Sequence, residues 1–204
     1  MNQSEIIKRD DVASTLAEAG FDMEAELVES SADNNIIDIP IVRIEHSRSG
    51  AHKMFIETGE SYLDNEKGII DIPNNTLEGT VVAEQEIRAL WEPSSQHPKC
   101  SSINGRISSN APESESCNTC NHSVIGGSCK PKIRLLILSK IDGEIKPLSF
   151  NLSPVSIKNW AKHKRKLKRS ELPVVSANCK FTLEDIQRNG FRYAEVKIEM
   201  NGLS

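Results

Sequence analysis

Cys100, Cys117, Cys120 and Cys129 fall within one thirty-residue window, and the middle pair forms a CxxC turn. Thiolates at this spacing suit a tetrahedral zinc ion: the turn offers two sulfurs from one knuckle, and two flanking cysteines close the cage. Four protein ligands leave no open coordination position, so the expected role is structural, a pin for a loop too polar to build its own core. An iron–sulfur cluster uses the same four thiolates and stays open as an alternative, as do unligated thiols. Disulfides belong to oxidising compartments. The N-terminal MNQSEIIKRDD has no apolar stretch of the kind that directs secretion, and no run is long and apolar enough for a membrane span, so reduced thiols in a cytoplasmic protein are expected. His97 and His122 stand close enough in sequence to replace a cysteine, Cys100 above all, because it is farthest from the knuckle. Cys179, in an apolar strand-like stretch, reads as a small core residue.

Charge is the second chemical feature. The formal net charge is −4, yet residues 1–129 carry 9 Lys and Arg against 22 Asp and Glu, residues 130–169 carry 12 against 2, and residues 170–204 carry 4 against 5. A dense basic block in an acidic chain creates a local field, and local fields attract polyanions. The densest part supplies Lys158, Lys162, Lys164, Arg165, Lys166, Lys168 and Arg169. A second basic run, Lys130, Lys132 and Arg134, follows the last cysteine directly, so a bound metal would fix the orientation of a basic strand edge. Lysine-rich surfaces favour phosphates and predict salt-sensitive binding with little sequence preference.

These residues need elements to position them. Ser153 suits an N-cap and Pro154 the first helical position, so a helix is expected from about Pro154 to Leu167. Ile157, Trp160, Ala161, Lys164 and Leu167 would share its docking face, with the other cations radiating outward. Residues 10–30 carry a second, acidic helical pattern in Val12, Leu16, Ala19 and Phe21. Elsewhere the pattern is β: Ile39–Glu45, Met54–Glu57, a long bent strand over Leu77–Trp91, Ile133–Leu138 and Glu144–Phe150 around the hairpin signal Asp142-Gly143, Leu172–Phe181, and Phe191–Met200 with a shift of phase near Glu195. Six or so strands with one helix between the hairpin and the last two indicate a mainly β fold, a small antiparallel barrel or sandwich with the helix as a plug. Hydrophobic content of 37% and a mean hydropathy of −0.41 are low for a compact domain, which leaves residues 1–35 as an acidic extension, partly helical or disordered. The domain proper then spans 36–204, with a cysteine-bearing insertion at about 94–130.

The segment ALWEPSSQHPKC, then CNTC and a further cysteine, then KPKIRLLILSKIDGEIKPLSFNLSPVSIKNWAKHKRKL resembles a group of phage and mobile-element proteins with a zinc-pinned loop inside an OB-type barrel. The resemblance covers residues 36–200 and rests on Ala89 to Trp91, the four cysteines, Ser153, Pro154, Ser156 and the basic helix. It implies single-stranded DNA binding in replication or recombination. A single-strand binder needs cations that track phosphates and aromatic faces on which bases stack. Phe55, Tyr62, Trp91, Trp160, Phe191 and Tyr193 are available. Tyr62 and Tyr193, then Trp91, are the expected stacking residues, whereas the helical spacing of Trp160 assigns it to the core.

Two other classes compete. A protein-interaction module would use the zinc loop to bind another protein. A nuclease would need clustered carboxylates such as Asp71, Asp142, Glu144, Glu184 and Asp185, but none lies in a recognisable catalytic motif, so no enzymatic activity is expected. The acidic residues of 1–34 would either compete with DNA for the basic surface or recruit a basic replication or recombination partner.

Overall fold

A computed structural model of the chain describes residues 39–47, 50–58, 68–92, 98–107, 112–124, 126–188 and 190–203. The acidic segment with its helical pattern, Tyr62 and His97 lie outside the described residues. Strands take 56% of the described residues and are joined by one α-helix, so the fold is mainly β. The strands are β1 (Ile41–Glu45), β2 (Lys53–Glu57), β3 (Ile69–Asp71), β4 (Thr76–Leu90), β5 (Cys100–Ile103), β6 (Arg106–Ile107), β7 (Lys130–Ile141), β8 (Glu144–Leu152), β9 (Ala177–Arg188) and β10 (Phe191–Leu203), with α1 (Pro154–Arg169) between β8 and β9. Ten strands among the described residues replace the six or so expected, because short edge segments such as β3, β5 and β6 carry too few residues to show a period of two.

The strands form one sheet in the order β10-β9-β4-β7-β8-β1-β2-β3, with β5 and β6 extending from β4, and the sheet curls into a half-barrel. It is not wholly antiparallel: β1 runs parallel to β8, with Ile41 opposite Ser149 and Val42 opposite Phe150. The β7–β8 hairpin turns on Asp142 and Gly143, whose φ angles of 53° and 89° are both left-handed, the twist that a two-residue hairpin requires.

β4 is the long strand expected, and it carries a bulge between Val81 and Ala83. The bulge reverses parity. Before it, Leu77 and Val81 point into the core, whereas after it Glu84 and Glu86 lie opposite the inward Leu135 and Ile133. Gln85, Ile87 and Ala89 are thereby turned to the convex face, opposite Arg134, Lys132 and Lys130.

Two expectations about β9 and β10 are corrected. Pro173 and a 3-10 turn at Val174–Ser176 precede β9, which begins at Ala177 and then runs past Phe181 to Arg188, paired along its length with β10. In β10, Ala194, Val196 and Ile198 enter the core in a single phase, with no shift near Glu195. Glu195 is nevertheless buried, because the helix lies against it.

α1 covers the open side of the half-barrel, packing on β10, β7 and β8. Its buried stripe is Ser156, Trp160, His163 and Leu167, rotated from the face expected. The reason is a sheet edge. The Val196 N–H donates to Ser156 Oγ at 3.0 Å, and Asn159 Nδ2 donates to the Val196 carbonyl at 2.9 Å and to Glu195 Oε1 at 2.8 Å. Polar helix residues thus satisfy backbone groups that β10, as a terminal strand, would leave unpaired. Ser153 takes the N-cap position, but its hydroxyl pairs with Ser156 Oγ at 3.2 Å instead of capping a backbone N–H. Trp160, 1% exposed, fills the core beside Leu135, Ile137 and Phe150.

Candidate nucleic-acid interface and cysteine module

Cys100 opens β5 opposite Leu90, and Cys129 immediately precedes Lys130, which pairs with Ala89. The end of β4 therefore holds one cysteine on each side, and Leu90, Cys100 and Cys129 form a small apolar cluster with Ile107. The polar segment between β6 and β7 brings Cys117 and Cys120 to the same place. All four cysteines line one small cavity of about 10 Å³. Backbone bonds shape the two turns: Ser123 N–H donates to the Cys120 carbonyl at 2.9 Å, and Cys129 N–H to the His122 carbonyl at 2.9 Å. At Gly127 a Cβ would stand 2.3 Å from the His122 carbonyl oxygen, so only glycine lets this turn close.

All five cysteines are free of disulfides. Burial pushes the Cys129 thiol up, and the nearby Cys117 and Cys100 add to the rise while Ser123 and Arg88 oppose it. Cys117 Sγ donates to Ser102 Oγ at 3.3 Å. As placed, no three His, Cys, Asp or Glu side chains among the described residues are gathered tightly enough to hold an ion. The donor set itself fits zinc: four free thiols on one cavity the size of about one small sphere, in turns that a glycine allows to close. His122 lines the same cavity and is paired through Nδ1 with Ser128 Oγ at 3.0 Å and through Nε2 with Glu113 at 3.5 Å. Glu113 also pairs with Lys99 at 2.8 Å, and this bond holds its carboxyl below the ordinary range.

The predicted DNA-binding residues divide into two groups. Lys130, Lys132 and Arg134 alternate along β7, all exposed on the convex face. Across β4 they face Ala89, Ile87 and Gln85, and beyond Ile87 lie Ile103 and then Arg106. Trp91, directly after β4 and next in the outward phase, is 54% exposed. One stacking candidate and three cations thus share a face, and the cysteine cavity, lined by Arg88, Leu90, Cys100 and Ser102, lies behind them on the other face of the same strand ends. The alternation in Val82, Gln85, Ile87, Ala89 and Trp91 is the signal for this face; Arg106 and Ile103 carry no signal of their own.

The helix cations lie elsewhere. Ile133, Leu135 and Ile137 of β7 face the same core as Trp160, so α1 and the Lys130–Arg134 row lie on opposite sides of the sheet. Lys158, Lys162, Arg165, Lys166, Lys168 and Arg169 are exposed and have no acidic partner among the described residues. Lys164 differs. It pairs with Glu84, lies 5.7 Å from the Trp160 ring, and shares Glu84 with the Trp160 indole N–H. Its ammonium is thereby held against the helix's own docking face. Tyr193 is half-buried on β10, apart from the convex row, and Phe191 at the β9–β10 tip is 76% exposed. Cys179 is fully buried against His163, and burial pushes its thiol up to about 12, in keeping with a core residue.

The carboxylates considered for a nuclease are spread out. Asp71 ends β3, Asp142 and Glu144 sit at the β7–β8 turn, Glu184 pairs with Lys197, and Asp185 pairs with Arg192. No helix among the described residues is long and apolar enough to cross a membrane. No protein family, characterised protein or solved structure matches this chain.

Proposed function

We propose that this protein binds single-stranded DNA, largely without regard to sequence, through the convex face of β4 and β7. The observation that supports this is the shared face of exposed Trp91 with Lys130, Lys132 and Arg134. Alternate residues on a strand are about 7 Å apart, a repeat that an extended sugar–phosphate chain follows, so the lysines track phosphates while a base stacks on the indole. Ile87 and Ala89 between them give flat apolar ground for neighbouring bases.

Cys100, Cys117, Cys120 and Cys129 would hold Zn²⁺. The ion would supply a structural cross-link and no open coordination site. The chain's own residues do the rest: Leu90 seats Cys100 and Cys129 on either side of β4, and Cys129 leads straight into Lys130. Order in the cysteine module is thereby passed to Trp91 and the lysine row. A role in replication or recombination of a phage or mobile element, in the cytoplasm, accords with this chemistry and with the resemblance in the sequence. The acidic segment would then recruit a protein of that machinery.

A second reading is favoured by Val124, 60% exposed at the turn between Cys120 and Cys129: a zinc-pinned protein-interaction module. Titrating labelled oligo-dT and the corresponding duplex with zinc-loaded protein separates the two. Single-strand binding that weakens steeply with salt, and that Trp91→Ala and Lys132→Ala both weaken, is the expected result. Absence of binding to either nucleic acid at low salt would leave the interaction module. Metal analysis should return about one zinc per chain, lost on Cys117→Ser.

A further inference from the structure

α1 and the terminal strand β10 enclose a groove of about 660 Å³ on the side of the sheet away from Trp91 and Lys132. Its walls combine cations, Lys166 and Arg169, with the half-exposed Met200, and the buried Leu167 lies beneath them. Ser170 and the buried His163 complete the lining, and Glu199 on β10 is the only carboxylate there among the described residues. Lys162 and Lys158 continue the cationic line toward the helix N-terminus, exposed and without acidic partners among the described residues. A row of cations without acidic partners tracks the phosphates of a single strand, and the exposed Met200 beside it gives the bases an apolar contact in place of an aromatic one.

We infer that this groove is a second single-strand site, so that one molecule holds two strands at once, one on each side of its core. The inference rests on the convex-face reading above and goes beyond it. The two cationic surfaces are separated by the sheet and by the core packed around Trp160, Leu135 and Phe150, so a short oligonucleotide on one cannot touch the other. A protein that holds two strands brings them to high effective concentration, which predicts acceleration of pairing between complementary strands.

Native mass spectrometry of the zinc-loaded protein with a short oligo-dT tests this. One protein with two oligonucleotides is the expected complex. Donor- and acceptor-labelled strands should show energy transfer that rises with protein and falls again when protein is in excess. Lys162→Glu with Lys166→Glu should reduce the complex to one strand and abolish the transfer, and so should Lys130→Glu with Lys132→Glu, with circular dichroism checking that each variant folds. Two outcomes overturn the inference: one strand per protein at saturation, as when a single strand wraps the molecule, or transfer seen only in complexes holding two proteins. Failure of the convex-face reading looks different, because then the Lys130/Lys132 variant binds as the wild type does.

Discussion

The convex face at the end of β4 and the concave side under α1 both present cations to solvent, but they are held in place by different means. Around α1 the support is a conventional core: Trp160 is buried among Leu135, Ile137 and Phe150, and Ser156 and Asn159 satisfy the backbone at the edge of β10. Around Trp91 there is almost no core. Leu90, Cys100, Cys129 and Ile107 form a cluster too small to order the turns from Pro112 to Cys129, and most of that segment is exposed or half-exposed. Burial positions one surface; in the zinc reading, thiolate chemistry must position the other. The difference gives each side its own point of failure.

Removing the metal should separate the two sides most clearly. Structural zinc supplies on the order of 10 kcal/mol to small modules of this kind. Chelation, or Cys117→Ser with Cys120→Ser, should therefore open residues 98–130 to limited proteolysis while β9, β10 and α1 stay protected. Equal loss of protection on both sides would contradict the division. The converse perturbation is Trp160→Ala, which empties a fully buried site and should lower unfolding stability by about 3–5 kcal/mol in a denaturant titration. The zinc content of the folded fraction should not change.

Trp91→Ala probes the same division from the binding side. An exposed indole contributes little to folding, so the melting temperature should hold while single-strand affinity falls by about 1–3 kcal/mol, read by anisotropy. Ser156→Ala leaves the Val196 N–H buried without its acceptor and should cost about 1–3 kcal/mol of stability with convex-face binding intact.

The smallest effect is in pH. Asp185 joins β9 to the loop before β2, accepting from Arg192 at 3.1 Å and from the His52 backbone N–H at 3.4 Å. Desolvation raises its carboxyl, but these bonds and the charges behind them outweigh it and bring it below its ordinary 3.8. A carboxyl lowered on folding stabilises the native state above its unfolded value, and that contribution disappears as pH falls through the folded one. The contribution of Asp185 should thus be constant from neutrality to about pH 5 and disappear below about pH 4, so the difference in stability between wild type and Asp185→Asn should shrink over that range.

Much of this organisation is legible in the residues. The CxxC spacing brings the cysteines together, Asp142-Gly143 marks its hairpin, Pro154 marks the start of the helix, and the alternation from Gln85 to Trp91 identifies one exposed face. What is not legible depends on partners far along the chain. Alternation names two faces but cannot say which meets the core, and the bulge at Val82 reverses the answer midway through β4. The buried face of the helix is hidden for a similar reason: Ser156 and Asn159 look like solvent residues until the edge of β10 is placed against them. The one basic groove that the charge count suggests is two surfaces, because basic runs adjacent in sequence fold onto opposite sides of one sheet.

Single-strand binding by the convex face is tested most directly by the affinity of zinc-loaded protein for oligo-dT against an equal-length duplex, across a salt series, for the wild type and for Lys130→Ala with Lys132→Ala. The expected result is preference for the single strand, and a plot of log affinity against log salt whose slope is shallower in the variant by roughly 0.7 for each phosphate no longer neutralised. Equal binding to the duplex, or a variant indistinguishable from the wild type in both affinity and slope, would rule out the convex face as a single-strand site.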